Sequence, residues 1–265
     1  MDKYRYQYEI QQMMYTSGDI RNPLRETSEI IEDIVKSQVI EVSKRAAHIT
    51  QIRGSRSMSV EDIAFITRKD LAKLGRIKEY LGWKDVRKNV KSAEADDVIE
   101  DEKIARSQRK QSIMPWEYFE QLGNSGMSTA VENVVSQENL HRMQKANEMT
   151  IGMAKDEYIE YSECRQASFT YKKAKKFKDW ISFSQFTDFK PNEDVIDILG
   201  FIACEVVSTV TEKALEIKNE LLSDEKKVTG ILPLHVHEAY RRLSQRNHPL
   251  WNFRSGLNKK SSILF

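Results

Sequence analysis

The chain has 265 residues, 40% of them hydrophobic and 31% charged, with only 10 glycines, 5 prolines and 2 cysteines. That length suffices to bury the core of one or two domains, and the composition fits a mostly helical protein. No eighteen-residue apolar run and no charged-then-apolar start with a small-residue cleavage site occurs, so neither a transmembrane helix nor a secretory signal is indicated and an intracellular, soluble protein is expected. Charge is unevenly spread: 18 basic against 13 acidic residues in 1–91, 7 against 14 in 92–160, and 17 against 13 in 161–265. Two mildly basic ends around an acidic middle argue for protein partners over extensive nucleic-acid wrapping. Cys164 and Cys204 offer no disulfide framework and read as plain thiols.

In chain order, Tyr6 to Ser17 is a short helix with Tyr6, Ile10, Met13 and Met14 on one face, broken by Gly18, Asn22 and Pro23. Thr27 to Ile52 is one long amphipathic helix. Its apolar positions are Ile31, Val35, Val42 and Ile49, with a second row at Ile30, Ile34, Ala46 and Ala47 and the polar Gln38 between them. Thr27 is expected as N-cap, and Glu29, Glu32 and Asp33 sit where the helix dipole favours acids. At a rise of about 1.5 Å per residue this helix is roughly 39 Å long, too long for its own short flanks to cover. It therefore needs a partner of similar length. A basic loop, Arg53 to Ser57, leads to Ser59, an N-cap with Asp62 three residues on as in a capping box. The following helix carries Ile63, Phe65 and Ile66, and an extension carries Leu71, Leu74, Ile77, Tyr80, Leu81 and Trp83.

The order short helix, very long helix, short helix is that of the histone fold, and VEDIAFITRKDLAKLGRIKEYL (Val60 to Leu81) resembles the smaller partner of a histone-fold pair among the TATA-binding-protein-associated factors. Together with MMYTSGDIRNP and WKDVRKN, residues 8–89 are similar to the N-terminal histone fold of the suppressor-of-Ty subunits of SAGA-type coactivators. In that fold a loop arginine pairs with the aspartate opening the third helix, here Arg56 with Asp62.

From Ser92 to Lys110 the chain turns acidic and aperiodic, which reads as a linker. Pro115 can open a helix with Trp116, Phe119 and Leu122 on one face, suited to docking on the chain's own core or on another subunit. Gly123 to Gly126 ends it, and Thr129 to Lys155 is an imperfect helix. Tyr171 to Phe183 is a short helix and Phe186 to Pro191 a loop. Asn192 caps a second long helix running to about Leu222, with Val195, Leu199, Ile202, Val206 and Val210 on one face. Gly200 inside it costs about 1 kcal/mol relative to alanine, which a close helix crossing would explain. After a charged loop, Asp224 to Lys227, Pro233 starts a third helix with Val236, Ala239, Tyr240 and Leu243. DVIDILGFIACEVV resembles the second histone fold of the same family. The resulting expectation is an all-α protein of two histone folds paired within one chain: residues 1–91 and 161–265, joined by an acidic, partly helical segment 92–160. The helix Asn192 to Leu222 becomes the partner of Thr27 to Ile52.

Catalysis finds little support, and no cofactor, metal or small-molecule substrate is expected. His48 reads as packed or solvated, and His235 and His237 are two apart, so they cannot share a metal from one helix face. No phosphate loop, zinc-spaced cysteine pair or nucleophile elbow is present. Two basic features could meet phosphate. They are Arg53 and Arg56 in the loop, and Lys172 and Lys173, with Lys175, Lys176 and Lys178, interleaved with Tyr171, Phe177 and Trp180; a solvated basic face is the competing explanation. Glu205, Glu212 and Glu216 recur at seven and four residues and line one face of the second long helix, either as an ordinary solvated face or as a docking edge for a basic partner. The resemblance implies a non-enzymatic nuclear coactivator subunit that binds the TATA-binding protein through such an edge and regulates its delivery to promoters. Its other partners would be subunits of a SAGA-type complex, with weak DNA contact and no membrane. The alternatives are a histone-like DNA-binding module or a purely structural scaffold.

Overall fold

The computed structural model describes residues 4–68, 70–95, 137, 140–221 and 230–246. The expected docking segment Pro115 to Leu122, the break at 123–126 and the charged loop Asp224 to Lys227 lie outside the described residues. The described elements are α1 (Gln7–Thr16), α2 (Arg25–Ile52), β1 (Ser57–Met58), α3 (Val60–Thr67), α4 (Leu71–Ala95), α5 (Lys155–Cys164), α6 (Ala174–Ile181), a 3-10 turn (Phe183–Gln185), β2 (Lys190–Pro191), α7 (Glu193–Leu221) and α8 (Pro233–Arg246). Residues 140–150 are also helical. No described helix is long and apolar enough to cross a membrane. The chain divides into two compact units, and each draws on both halves of the sequence: residues 1–45, 147–188 and 199–265 form one, 46–146 and 189–198 the other.

In the first unit, Ile10, Met14, Ile31, Val35 and Val39 are buried, as their three-and-four spacing requires. They share the unit with Leu199, Ile202, Val206 and Val210 of α7 and with Val236 and Ala239 of α8, all buried. Each of these side chains larger than alanine contributes about 1.5–3 kcal/mol relative to exposure. Thr27 is not the cap of α2. The helix starts two residues earlier, at Arg25, just past Pro23, and Thr27, fully buried in the first turn, donates its hydroxyl to the Ile231 carbonyl at 3.0 Å. The threonine is spent on a tertiary bond 204 residues away in sequence.

Gly200 does mark a close approach, but to a side chain and not to a second helix. A Cβ at Gly200 would lie 2.4 Å from Cγ2 of Thr170, in the segment before α6. Gly18 ends α1 at φ +112, where glycine alone is unstrained, and a Cβ there would meet Leu215 of α7 at 3.2 Å. The short helix expected at 171–183 is shorter, Ala174–Ile181, followed by the 3-10 turn. α5 crosses the expected boundary at 160/161. It packs on α1 through Tyr15, Tyr161 and Cys164, with Met149 and Met153 against them.

In the second unit, β1 and β2 pair in parallel, Ser57 with Lys190 and Met58 with Pro191, and the Asn192 amide continues the ladder to the Met58 carbonyl at 3.2 Å. Lys84 of α4 pairs with Asp194, at 2.7 Å, and with Asp197 of α7. Met58, Ile63, Leu74, Ile77, Val195 and Ile198 are buried here. α4 remains helical to Ala95, so the acidic stretch expected to begin as linker at Ser92 is helical for its first four residues. Phe65 and Trp83 are exposed, Phe65 beneath the Arg68 guanidinium at 3.8 Å.

Candidate functional site

Asp62 is the third residue of α3 and fully buried. Its carboxylate accepts from the Ser59 amide at 2.8 Å, completing the expected cap, and from the Thr50 hydroxyl at 2.8 Å. The arginine paired with it is Arg53, not Arg56. Nε of Arg53 donates to Oδ1 at 3.0 Å and Nη2 to Oδ2 at 2.9 Å. Arg53 directly follows the last turn of α2, so its side chain reaches back over the loop, whereas Arg56 sits exposed just before β1. Burial alone would raise the Asp62 pKa, but the bonds from Arg53, Ser59 and Thr50 outweigh it and hold the carboxyl below its usual range.

Of the four residues expected near phosphate, two are engaged internally. Arg53 clamps Asp62, and Lys173 bonds to the buried Glu9 at 2.6 Å. Lys176 also faces Glu9, at 3.9 Å, donates to the Arg5 carbonyl at 2.8 Å and lies 4.5 Å over the Tyr6 ring. Lys173, just before α6, and Lys176 within it therefore serve as struts to Glu9 of α1 and to Arg5 before it. Lys172 and Arg56 remain exposed. Under this basic face lies a cluster with no counterpart in the sequence expectations. Tyr6, Phe169 and Trp180 are buried with ring centroids 4.9–5.8 Å apart. The buried Glu32 accepts from Trp180 Nε1 at 2.9 Å, the Arg5 amide at 2.8 Å and the Tyr6 amide at 3.2 Å. In the sequence Glu32 reads only as an acid favoured by the helix dipole, whereas it ends the second turn of α2 and its role is that of a buried acceptor.

The acidic row on α7 divides. Glu205 is buried, at 7% exposure, and is no part of an outward edge. Glu212 and Glu216 are exposed one turn apart, with Lys213 paired to Glu216. Near Glu205 most of the helix is covered, as Ile202, Ala203, Val206 and Val207 are buried too and only Phe201, Cys204 and Ser208 are partly exposed; toward its C-terminus a narrower stripe is covered. Cys164 and Cys204 are free thiols, and burial raises both, Cys204 up to about 12, so neither is an activated nucleophile.

His48 and His237 are exposed and His235 is buried, so His235 and His237 do face different sides of α8. His235 stands at the third position of α8, where its Nδ1 accepts from the Leu232 amide at 3.1 Å, while Asp19 accepts from the Ile231 amide at 3.0 Å. Burial lowers the His235 pKa, nearby Lys218 lowers it further and Asp19 partly offsets this. The unfolded chain therefore binds this proton more readily, so the contribution of His235 to stability is full above about pH 6.5 and falls as pH drops below it. Thermal melts at pH 7.5 and 5.5 are expected to show that fall, and His235→Asn, whose Oδ1 accepts in place of Nδ1 without titrating, is expected to flatten it. An unchanged slope would remove His235 from the account.

A family model of the 18 kDa subunit of transcription initiation factor IID matches residues 4–95, the stretch holding α1 to α4. The sequence is 35% identical to SAGA complex subunit SPT3 of Saccharomyces cerevisiae across the whole of both chains. It is 40% identical to Protein SPT3 of Kluyveromyces lactis over 82% of this chain and 76% of that one. It is also 39% identical to transcription initiation factor TFIID subunit 13 of Arabidopsis thaliana over 33% of this chain and 68% of that protein. The chain belongs to the SPT3 family of histone-fold transcription coactivator subunits, which act without catalytic chemistry.

Proposed function

We propose that the chain is a nuclear subunit of a SAGA-type coactivator that binds the TATA-binding protein and regulates its delivery to promoters. The observation that carries the reading is similarity that spans both chains from end to end, to a protein named as a SAGA complex subunit. Within this reading, residues 1–91 and 161–265 are two histone folds paired in one chain, with 92–160 connecting them and α7 as the long partner of α2. Support comes from the way each compact unit combines segments of both halves. The parallel pairing of β1 with β2 supports it too, as does the Thr27 to Ile231 bond. Covalent linkage gives the two halves a high effective concentration, so no second histone-fold subunit is needed to complete the pair.

The docking edge for the TATA-binding protein reduces to Glu212 and Glu216, both exposed on the C-terminal part of α7. Two carboxylates one turn apart suit a basic partner, and rim charges of this kind act on encounter rate and specificity. Affinity decides the outcome: one surface holds the complex and another holds the TATA-binding protein. Calorimetry with purified TATA-binding protein is expected to give about tenfold weaker binding, roughly 1.4 kcal/mol, for the Glu212→Lys, Glu216→Lys double variant, with an unchanged melting temperature. Wild-type affinity in the variant would sink the edge. A duplex-binding role has less support, because Arg53 and Lys173 are committed to Asp62 and Glu9.

A further inference from the structure

The docking of α5 on α1 leaves a cleft of about 350 Å³ in the first unit. Its walls come from Tyr8 and Gln12 on one side and from Glu160, Glu163 and Cys164 on the other, with Pro23 between. Two bonds tie its lining residues together. Gln11 donates its side-chain amide to the Pro23 carbonyl at 3.0 Å, and Arg21 donates to Glu160 at 2.9 Å, tying the residues after α1 to α5. Tyr15 meets Tyr161 edge-on behind it, ring centroids 5.7 Å apart.

The lining selects among occupants. Arg21 is the one cation among the lining residues and it is taken by Glu160, so an anion finds no counter-charge. No cluster of three or more metal-ligating side chains occurs among the described residues. Amide, carboxylate and guanidinium groups make too polar a wall for an apolar small molecule. Glu163 is exposed and has no cation within ion-pair distance among the described residues, and four of the ten residues of α5 are acids against a single lysine. Burial first, then the charges of Glu160 and Glu163, raise the Cys164 thiol, with Arg21 and a bond from Gln12 lowering it. Tyr8 stands 70% exposed at the mouth, presenting an aromatic surface on which an aliphatic stem or a cation packs.

We infer that this cleft receives a lysine or arginine side chain on an extended segment of a partner protein. The stem lies along Tyr8 and Pro23, the cationic head reaches Glu163, and the Gln12 and Asn22 amides meet the segment's backbone. The site is separate from the edge at Glu212 and Glu216 and does not depend on which partner that edge holds.

Panning a phage-displayed random heptapeptide library against the whole chain tests this. The expected result is a consensus with one fixed Lys or Arg. Synthetic consensus peptides should bind at least tenfold more weakly to Glu163→Lys and several-fold more weakly to Glu163→Gln and Tyr8→Ala. Replacing the fixed basic residue by norleucine should abolish binding to the wild-type chain. Both substituted positions are exposed, so the variants are expected to keep the wild-type melting temperature, checked alongside. A selection without a basic consensus, or consensus peptides that bind Glu163→Lys as tightly as wild type, would overturn the proposal.

Discussion

Replacing Glu32 by alanine is expected to destabilise the chain by about 4 kcal/mol. The loss comes from what the substitution leaves behind. Three N–H donors, from Trp180, Arg5 and Tyr6, lose their acceptor beside a buried aromatic cluster. Each buried donor left unsatisfied costs about 1–3 kcal/mol. The partly buried Arg5 amide, which regains water most easily, sits at the low end. Against a total stability of roughly 5–15 kcal/mol this is a large fraction. Glu32→Gln separates the contributions. Its carbonyl oxygen can stand in for Oε1, which serves Trp180 and Arg5, but its NH2 then faces the Tyr6 amide, donor against donor. Urea titration should rank wild type above Gln above Ala. Equal stabilities for all three would mean that the carboxylate does not hold this cluster.

Asp62→Ala should cost about 3 kcal/mol, by a different route. The Arg53 guanidinium stays partly exposed and recovers water, whereas the Thr50 hydroxyl and the Ser59 amide do not recover it fully. A substitution of Arg56 is expected to change stability by less than about 0.5 kcal/mol, as for an ordinary exposed position. Comparing Arg53→Ala with Arg56→Ala by chemical denaturation therefore checks which arginine closes the loop. Because the Asp62 pKa is depressed in the folded chain, its contribution is present above the ordinary carboxylate range and disappears as pH falls through the folded value. Asp62→Ala should accordingly be closest to wild type in strong acid.

Much of the scaffold was legible because it rests on local periodicity. Ile31, Val35 and Val42 on α2 and Val195, Leu199, Ile202, Val206 and Val210 on α7 all proved buried. The Ser59 and Asp62 cap and the start of α8 at Pro233 are also short-range features, decided within one turn. α5 was missed because it is a ten-residue helix that buries only Tyr161 and Cys164, too few apolar positions to mark a face. Its readable trace was the pair Asp156 and Glu157 in the first turn, where the dipole favours acids.

The site residues were less legible, and Glu205 and Glu212 show why. Seven residues apart on one helix, they share a face, yet one is buried and the other exposed, because burial depends on what covers that length of the helix. Arg53 and Arg56 present the same difficulty in an irregular loop, where spacing does not determine which guanidinium reaches the aspartate.

The sequence by itself determined the two long helices, the order of the helices around them, most of their apolar faces and the likeness to histone-fold coactivator subunits, since these follow from spacing and residue type along the chain. Only the tertiary structure decided that Glu32 is an acceptor beneath Trp180, 148 residues away, that Thr27 bonds to Ile231, and that Lys173 is committed to Glu9. The physical reason is common to all three. A polar side chain's role depends on whether a donor or acceptor arrives to replace its water, and that partner is brought by a distant segment whose approach no local pattern encodes.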